Sequence, residues 1–288
     1  MLLNKKFVWL VQKKLVLWPK LMMIGFLISV PSNSIYAQVT GKLLKPLKIG
    51  EFTTAAMDKE VTSDVGPRPF EVGEQLVYRI SYLETIEAGT VQLNVSSGGS
   101  KNSNFFRLQV KARSTPAINS IYRLKFEFLS IFDLQSGSSR EYRKYSRENT
   151  KVVRERMTLN PQQGLATFIN SNKELKKISI GLGTQDPVSA LYFVRTLKLK
   201  PGLRIIIPVI EREQIYQVYI KVFGEELISN GLGGFSTNRV EAVLKLGQTF
   251  LDDKKMTFWF TRDHRRIPIL ASVSLPFGSV LLELISMT

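Results

Sequence analysis

The sequence predicts a mainly β domain with a single central helix. Segments in which apolar and polar residues alternate, the pattern of a half-buried strand, recur between Phe70 and Ile285 and are separated by clusters of Gly, Ser, Asn and Pro. Only Asp186–Thr196 carries apolar residues at helical spacing. About ten to twelve strands around one helix favour one domain over two.

The hairpin that opens this domain runs from Phe70 to Val95. In its first strand Tyr78, Ile80 and Tyr82 alternate with polar or smaller residues, so period-2 geometry places these three side chains on the buried face. Gly89 stands in the second strand, where a bulge needs a permissive backbone. Further strands are predicted over 106–112, 122–128, 142–147, 151–159, 165–170, 204–210, 216–223, 238–243, 256–262, 267–275 and 279–285.

The helix Asp186–Thr196 begins with a favourable N-cap, Asp186, followed by Pro187 at the first helical position. Apolar residues surround much of its surface, which is typical of a buried helix. We expect it to pack into the concavity of a curved sheet, either as a core plug or as one wall of an apolar pocket. Leu191 and Tyr192, together with Trp259 from a later strand, are predicted to line that interior.

Residues 1–37 have the pattern of a secretory signal. A basic segment precedes the apolar run Leu21–Val30, and cleavage is expected after Ala37. An uncleaved membrane anchor is the alternative, but the apolar run has about half of the roughly 20 residues that a spanning helix needs. Residues 38–69 are predicted to form a flexible linker or arm, and residues 70–288 a single β-rich domain. This organisation predicts export to the periplasm or cell envelope.

Composition excludes several kinds of chemistry. The chain has no cysteine and one histidine, His264, which excludes disulfides, thiolate catalysis and a multi-histidine metal site. No cofactor is expected. His264 beside Asp263, the neighbouring Asp252 and Asp253, and the glycines of 231–234 are explained as well by solvated turns as by a site. No GxSxG segment is present, so a serine hydrolase is not supported.

The chain is strongly basic, with a formal net charge of +16. The first 37 residues hold five lysines and no acid, so the remainder carries +11. Between Arg140 and Arg156 basic residues interleave with tyrosines, and Arg143, Lys144 and Arg147 are predicted to form a basic surface. Such a surface suits an anionic membrane or an envelope protein, or is simply a solvated sheet face. Export argues against nucleic acid as a partner.

Three stretches in order resemble a bacterial family catalogued as Domain of Unknown Function 3108. They are FEVGEQLVYRISYLETIEAGTVQL, GTQDPVSALYFVRT and FWFTRDHRRIPILASVSLPFGSVLLEL. The resemblance implies an exported envelope protein without an assigned function. It also implies one long antiparallel sheet curved into an open or half-closed barrel, similar to the periplasmic lipoprotein-localisation carriers.

These observations leave three hypotheses. The first is a non-enzymatic envelope protein that binds a lipid-like or other apolar ligand or partner inside the curved sheet. The second is a structural or assembly factor with a filled core that acts through its basic surface. The third, an enzyme acting on envelope polymers, lacks a catalytic constellation. The sequence does not specify the oligomeric state.

Overall fold

The computed structural model describes residues 53–54, 68–99, 104–120, 123–251, 255–275 and 278–288. The predicted signal segment, most of the predicted arm, and the Asp252–Asp253 pair lie outside these residues. Within the described part of the chain, no helix combines the length and the apolar character that crossing a membrane requires.

Strands dominate the described chain, with two short α-helices and one turn of 3-10 helix at Pro161–Gln163. The helices are α1 (Pro116–Asn119) and α2 (Pro187–Thr196). The strands are β1 (Thr53–Thr54), β2 (Gln75–Tyr82), β3 (Ile86–Ser97), β4 (Phe105–Ser114), β5 (Leu124–Asp133), β6 (Ser138–Glu148), β7 (Lys151–Asn160), β8 (Leu165–Ile169), β9 (Leu175–Ser179), β10 (Arg204–Glu211), β11 (Gln214–Asn230), β12 (Gly233–Leu246), β13 (Thr249–Phe250), β14 (Met256–Thr261), β15 (Pro268–Leu275) and β16 (Gly278–Met287).

All of these strands belong to one sheet, in the order β1-β10-β11-β12-β14-β15-β16-β2-β3-β4-β5-β6-β7-β8-β9, with β13 added beside β12. Every pair in the ladder is antiparallel except β1 with β10. The last strand, β16, pairs with β2 and so joins the two ends of the domain sequence. The sheet does not close into a barrel, which confirms the predicted mainly β, open-sheet fold.

The strands alternate between a buried inner face and an outer face that meets solvent. The burial pattern of β2, for example, alternates residue by residue. Helix α2 lies against the inner face and contacts β4, β5, β6 and β10. The sheet contains bulges, one of them at Ala88 next to Gly89, and a Cβ at Gly89 would stand 2.3 Å from the Arg113 carbonyl oxygen. No side chain fits at Gly89, which explains the glycine that the sequence places there.

The two ends of the sheet meet through isolated contacts rather than through a complete ladder. Gln185, just before α2, forms a single parallel bridge with Val209 of β10. The Lys176 ammonium of β9 lies 2.7 Å from the Glu213 carboxylate in the β10–β11 turn. The sheet is therefore a half-closed barrel in which ion pairs span the gap.

The structure contains more residues in strands than the sequence pattern predicts. β11 continues from Phe223 to Asn230, past a register shift between Val222 and Glu225 that breaks the alternation. Beyond that shift the hairpin carries exposed residues such as Leu227, which is 78% exposed. β9 was missed because its residues are nearly all exposed and give no apolar period.

Candidate functional site

Helix α2 is held at its N-terminus by the side chain of Asp186. Its Oδ1 accepts hydrogen bonds from the backbone N–H groups of Val188 (2.7 Å) and Ser189 (2.9 Å). Its Oδ2 accepts from the hydroxyls of Ser130 (2.6 Å) and Ser139 (2.5 Å) on the inner face of β5 and β6. Burial raises the pKa of Asp186, and these hydrogen bonds oppose that rise. One carboxylate therefore caps the helix and ties it to the sheet.

The C-terminal turn of α2 carries a fully buried arginine, Arg195. Its Nη1 and Nη2 form a two-pronged ion pair with the Glu74 carboxylate at 2.7 and 2.8 Å. Nη2 also donates to the Pro69 carbonyl, and Nε donates to the Arg265 carbonyl. The guanidinium carbon lies 5.4 Å from the ring centre of Phe70. This arrangement binds the helix to the start of the domain and to the β14–β15 turn.

An apolar cavity of about 30 Å³ lies between α2 and the sheet. Leu191 faces it from the helix, and Phe258 and Phe260 face it from β14. The lining is completed by Ala190, Val194, Ile207, Val218, Ile220, Val240, Ala242 and Met256. A cavity that holds benzene measures about 150 Å³, so the present space is far smaller than an acyl chain requires.

The other predicted interior residues lie in the core. Tyr78, Ile80 and Tyr82 are buried on the inner face of β2, and the Tyr78 hydroxyl donates to the Pro268 carbonyl at 2.9 Å. Tyr192 is buried on a different side of α2 from Leu191 and packs edge-on against Phe70. The structure does not bring all of these residues to one pocket, and their binding of a ligand stays a prediction.

The placement of Trp259 in the interior was wrong. In the register of the sheet Trp259 lies opposite Arg239 on one side and Leu270 on the other, facing outward. Its ring N–H donates to the Glu226 carboxylate at 2.6 Å. The neighbouring Phe258 and Phe260 take the inward positions instead, because the strand reads Phe-Trp-Phe and period 2 alone does not say which set is buried.

Lys144 is not on the basic surface. It is 3% exposed and points inward, with its ammonium 2.6 Å from Glu211 Oε1 and 3.8 Å from Glu155 Oε2. Arg212 lies 3.3 Å from the other oxygen of Glu155. Burial raises the pKa of Glu211, and the Lys144 charge opposes that rise. This cluster joins β6 and β7 to the β10–β11 turn across the gap in the sheet.

Arg143 and Arg147, by contrast, are exposed on the outer face of β6. They belong to a larger surface, here called the outer basic face, made of the outward side chains of β4, β5, β6 and β7. Its basic members far outnumber its acids, Glu127 and Glu141. The basic members are Arg107, Lys111, Arg113, Lys125, Arg143, Arg147, Arg154 and Arg156.

A groove of about 520 Å³ runs into the outer basic face. Arg143 and Arg156 face each other across β6 and β7, and both direct Nε to the Glu141 carboxylate. Arg154 lies two residues along β7, with its guanidinium carbon 5.2 Å from the ring centre of Tyr145. The groove volume falls within the range of small-molecule sites, about 300–1,000 Å³.

Among the described residues, the side chains considered for catalysis do not form a site. His264 is exposed in the β14–β15 turn, and the neighbouring Asp263 accepts from the Thr261 hydroxyl at 2.6 Å and from the Arg266 backbone N–H. Among the described residues, no group of acidic or histidine side chains could hold a metal ion. Sequence reasoning had missed Arg195 and the size of the outer basic face, although alternate basic residues in β4, β5 and β7 were a signal of that face.

The family model described as "Protein of unknown function (DUF3108)" matches residues 77–285. This match confirms the family resemblance drawn from the three sequence stretches. No curated protein matches the chain.

Two solved structures that match the chain are described as a domain of unknown function and as a hypothetical protein. The beta-barrel-like protein of Domain of Unknown Function DUF1849 from Brucella abortus has a TM-score of 0.53 at 12% identity, covering 77% of this chain and 98% of that one. A hypothetical protein from Chlamydia trachomatis has a TM-score of 0.36 at 12% identity, covering 76% and 87%. At 12% identity the first similarity shows a shared fold and nothing more. At a TM-score of 0.36 the second similarity supports no conclusion about this chain.

Proposed function

Since this chain belongs to the family described as Protein of unknown function (DUF3108), which has no assigned activity, we propose a function from its own surfaces. The protein is an exported, non-enzymatic component of the bacterial cell envelope that binds an anionic partner through the outer basic face. A membrane surface that contains anionic lipid is the partner that fits best.

The observation that supports this proposal is the excess of positive charge on one continuous face of the sheet. Arg113, Lys125 and Arg147 lie directly opposite one another in neighbouring strands, at spacings of about 5 Å. Lys125 forms an ion pair with Glu127 at 2.8 Å, whereas among the described residues neither Arg113 nor Arg147 pairs with a carboxylate. Like charges at this spacing repel, so the two unpaired arginines have a cost that an anionic partner would remove. A surface needed for solubility alone would mix charges of both signs.

The apolar cavity beside Leu191 supports a second candidate, a carrier of an apolar ligand. Only apolar side chains line that cavity, and the described structure has just about 30 Å³ of space there. Helix α2 would have to move away from β12 and β14 to admit an acyl chain, against the anchors at Asp186 and Arg195. The outer basic face requires no such change and is therefore the stronger candidate.

Vesicle sedimentation tests the proposal directly. The purified protein should bind phosphatidylcholine vesicles that contain phosphatidylglycerol and should not bind vesicles of pure phosphatidylcholine. It should dissociate from the anionic vesicles at high salt. Reversing two charges with Arg113→Glu and Arg147→Glu should weaken binding at least a hundredfold, since each basic residue near an anionic surface contributes about 1 kcal/mol. The matched control is Lys200→Glu with Lys221→Glu, outside the outer basic face.

Equal losses in the two double variants would contradict the proposal, because overall charge rather than this face would then control binding. Native mass spectrometry of protein purified without detergent tests the second candidate. A retained apolar ligand would support the carrier, and a bare mass together with anionic vesicle binding would support the surface.

A further inference from the structure

The groove in the outer basic face has features of a discrete site as well as of a charged surface. Arg143, Arg154 and Arg156 occupy adjacent positions on β6 and β7, with strands about 4.8 Å apart and successive outward residues about 6.7 Å apart. One carboxylate, Glu141, serves two of these arginines. Among the described residues no carboxylate pairs with Arg154, whose guanidinium lies over the ring of Tyr145 and whose backbone N–H donates to the Ser171 hydroxyl.

The groove also has apolar walls in line with its arginines. In one row across the sheet Leu129 lies next to Arg143, Arg143 next to Arg156, and Arg156 next to Ile169. All four residues line the groove. A bare inorganic anion would gain nothing from Leu129 and Ile169, whereas a molecule with an apolar portion would cover both.

The turn between β8 and β9 gives the groove a fixed rim. The Ser171 hydroxyl donates to the Arg154 carbonyl at 3.0 Å and accepts from the Arg154 backbone N–H at 2.9 Å. The Asn170 side chain accepts from the backbone N–H groups of Asn172 (2.9 Å) and Glu174 (3.1 Å). These bonds hold Lys173 at the edge of the groove, where it adds a further positive charge.

From this geometry we infer that the groove binds an amphiphile that carries a phosphate group. This inference rests on the proposed function and specifies its site. The phosphate lies among Arg143, Arg154 and Arg156, because guanidinium groups bind phosphate oxygens in pairs. The apolar portion lies along Leu129 and Ile169. A membrane phospholipid supplies both portions, whereas a free phosphate ester supplies the phosphate alone, and the choice of probe distinguishes the two.

Titration calorimetry with three soluble probes tests the inference. Dihexanoyl phosphatidic acid below its critical micelle concentration should bind, glycerol 3-phosphate should bind more weakly, and inorganic phosphate weakest of all. Ile169→Ser should weaken binding of the dihexanoyl phosphatidic acid and leave binding of glycerol 3-phosphate unchanged. If glycerol 3-phosphate binds as tightly as the lipid, the site binds a free phosphate ester, and the inference that its ligand is an amphiphile is refuted.

Matched charge variants distinguish the groove from the surrounding face. Arg143→Gln with Arg156→Gln should weaken the lipid probe at least tenfold, because two charge-assisted contacts are lost. Arg113→Gln with Arg147→Gln removes the same charge outside the groove and should weaken binding of the lipid probe less than threefold. Glu141→Gln should tighten binding, since the phosphate then displaces no carboxylate. Unchanged thermal unfolding of each variant shows that it folds.

The two proposals fail in different ways. If both arginine pairs weaken binding of the lipid probe equally, the groove is not a discrete site, and the outer basic face binds anions without a preferred position. Binding of neither the lipid probe nor anionic vesicles would overturn both.

Discussion

Replacing Arg195 with methionine should destabilise the domain strongly. Methionine has a similar length but removes the charge, which leaves the Glu74 carboxylate buried without its two-pronged partner. It also removes the donors that reach the Pro69 and Arg265 carbonyls. Breaking a buried ion pair costs about 3–5 kcal/mol, and we expect a loss of about 4 kcal/mol in the free energy of unfolding. For a domain of this size that corresponds to roughly 10 °C in Tm.

The double variant Arg195→Met with Glu74→Met separates this explanation from simple loss of packing. With both charges gone no ion stays unpaired in the core, so the double variant should be more stable than Arg195→Met alone, although Arg265, 3.7 Å from Glu74, then loses a partner. We expect a coupling energy of about 3 kcal/mol between the two positions. The exposed Arg113→Met is the control and should change stability by less than about 0.5 kcal/mol.

Urea unfolding followed by circular dichroism measures these free energies. Additive effects of the two single variants would refute the reasoning, because the carboxylate and the guanidinium would then stabilise the fold independently. A loss below about 1 kcal/mol in Arg195→Met would show that water reaches Glu74 and that the site is not buried in solution.

Three further predictions concern the core. Leu191→Ala should cost about 2 kcal/mol and enlarge the apolar cavity, which binding of a hydrophobic dye would report. Lys144→Met should lower the free energy of unfolding in urea by about 3 kcal/mol, because Glu211 would stay buried without its partner, and should leave vesicle binding unchanged. Unchanged stability together with weaker vesicle binding would show that Lys144 belongs to the basic surface. Burial raises the pKa of Tyr142 above its ordinary value and that of Tyr216 to about 12. Because phenols in the unfolded chain ionise near pH 10, the contribution of the neutral Tyr216 phenol to the free energy of unfolding is complete below pH 10 and is lost as the pH rises toward 12. The contribution of Tyr142 is lost in the same direction. Absorbance titration of the phenolates should show their ionisation coinciding with unfolding, and full ionisation in the folded state would contradict it.

Local sequence determined the strands, the central helix and the family. Alternation in 75–82 and 91–95 is a property of neighbouring residues, and it is visible without the rest of the chain. The Asp-Pro start of α2 is equally local, because an N-cap acts on backbone groups two and three residues away. The sequence could not predict that Asp186 would also accept from Ser130 and Ser139, which are far away along the chain.

Tertiary structure decided which face of each strand is buried when both faces have similar composition. In β14 the inward Phe258 and the outward Trp259 are both aromatic, and in β6 the inward Lys144 and the outward Arg143 are both basic. A strand turns its whole set of side chains to the other face with a shift of one residue, so only pairing with neighbouring strands fixes the choice. That pairing also gathers Arg143 and Arg156 into one groove and brings Arg195 to Glu74. Charge and periodicity are local quantities, whereas a site and a buried ion pair depend on contacts between distant parts of the chain.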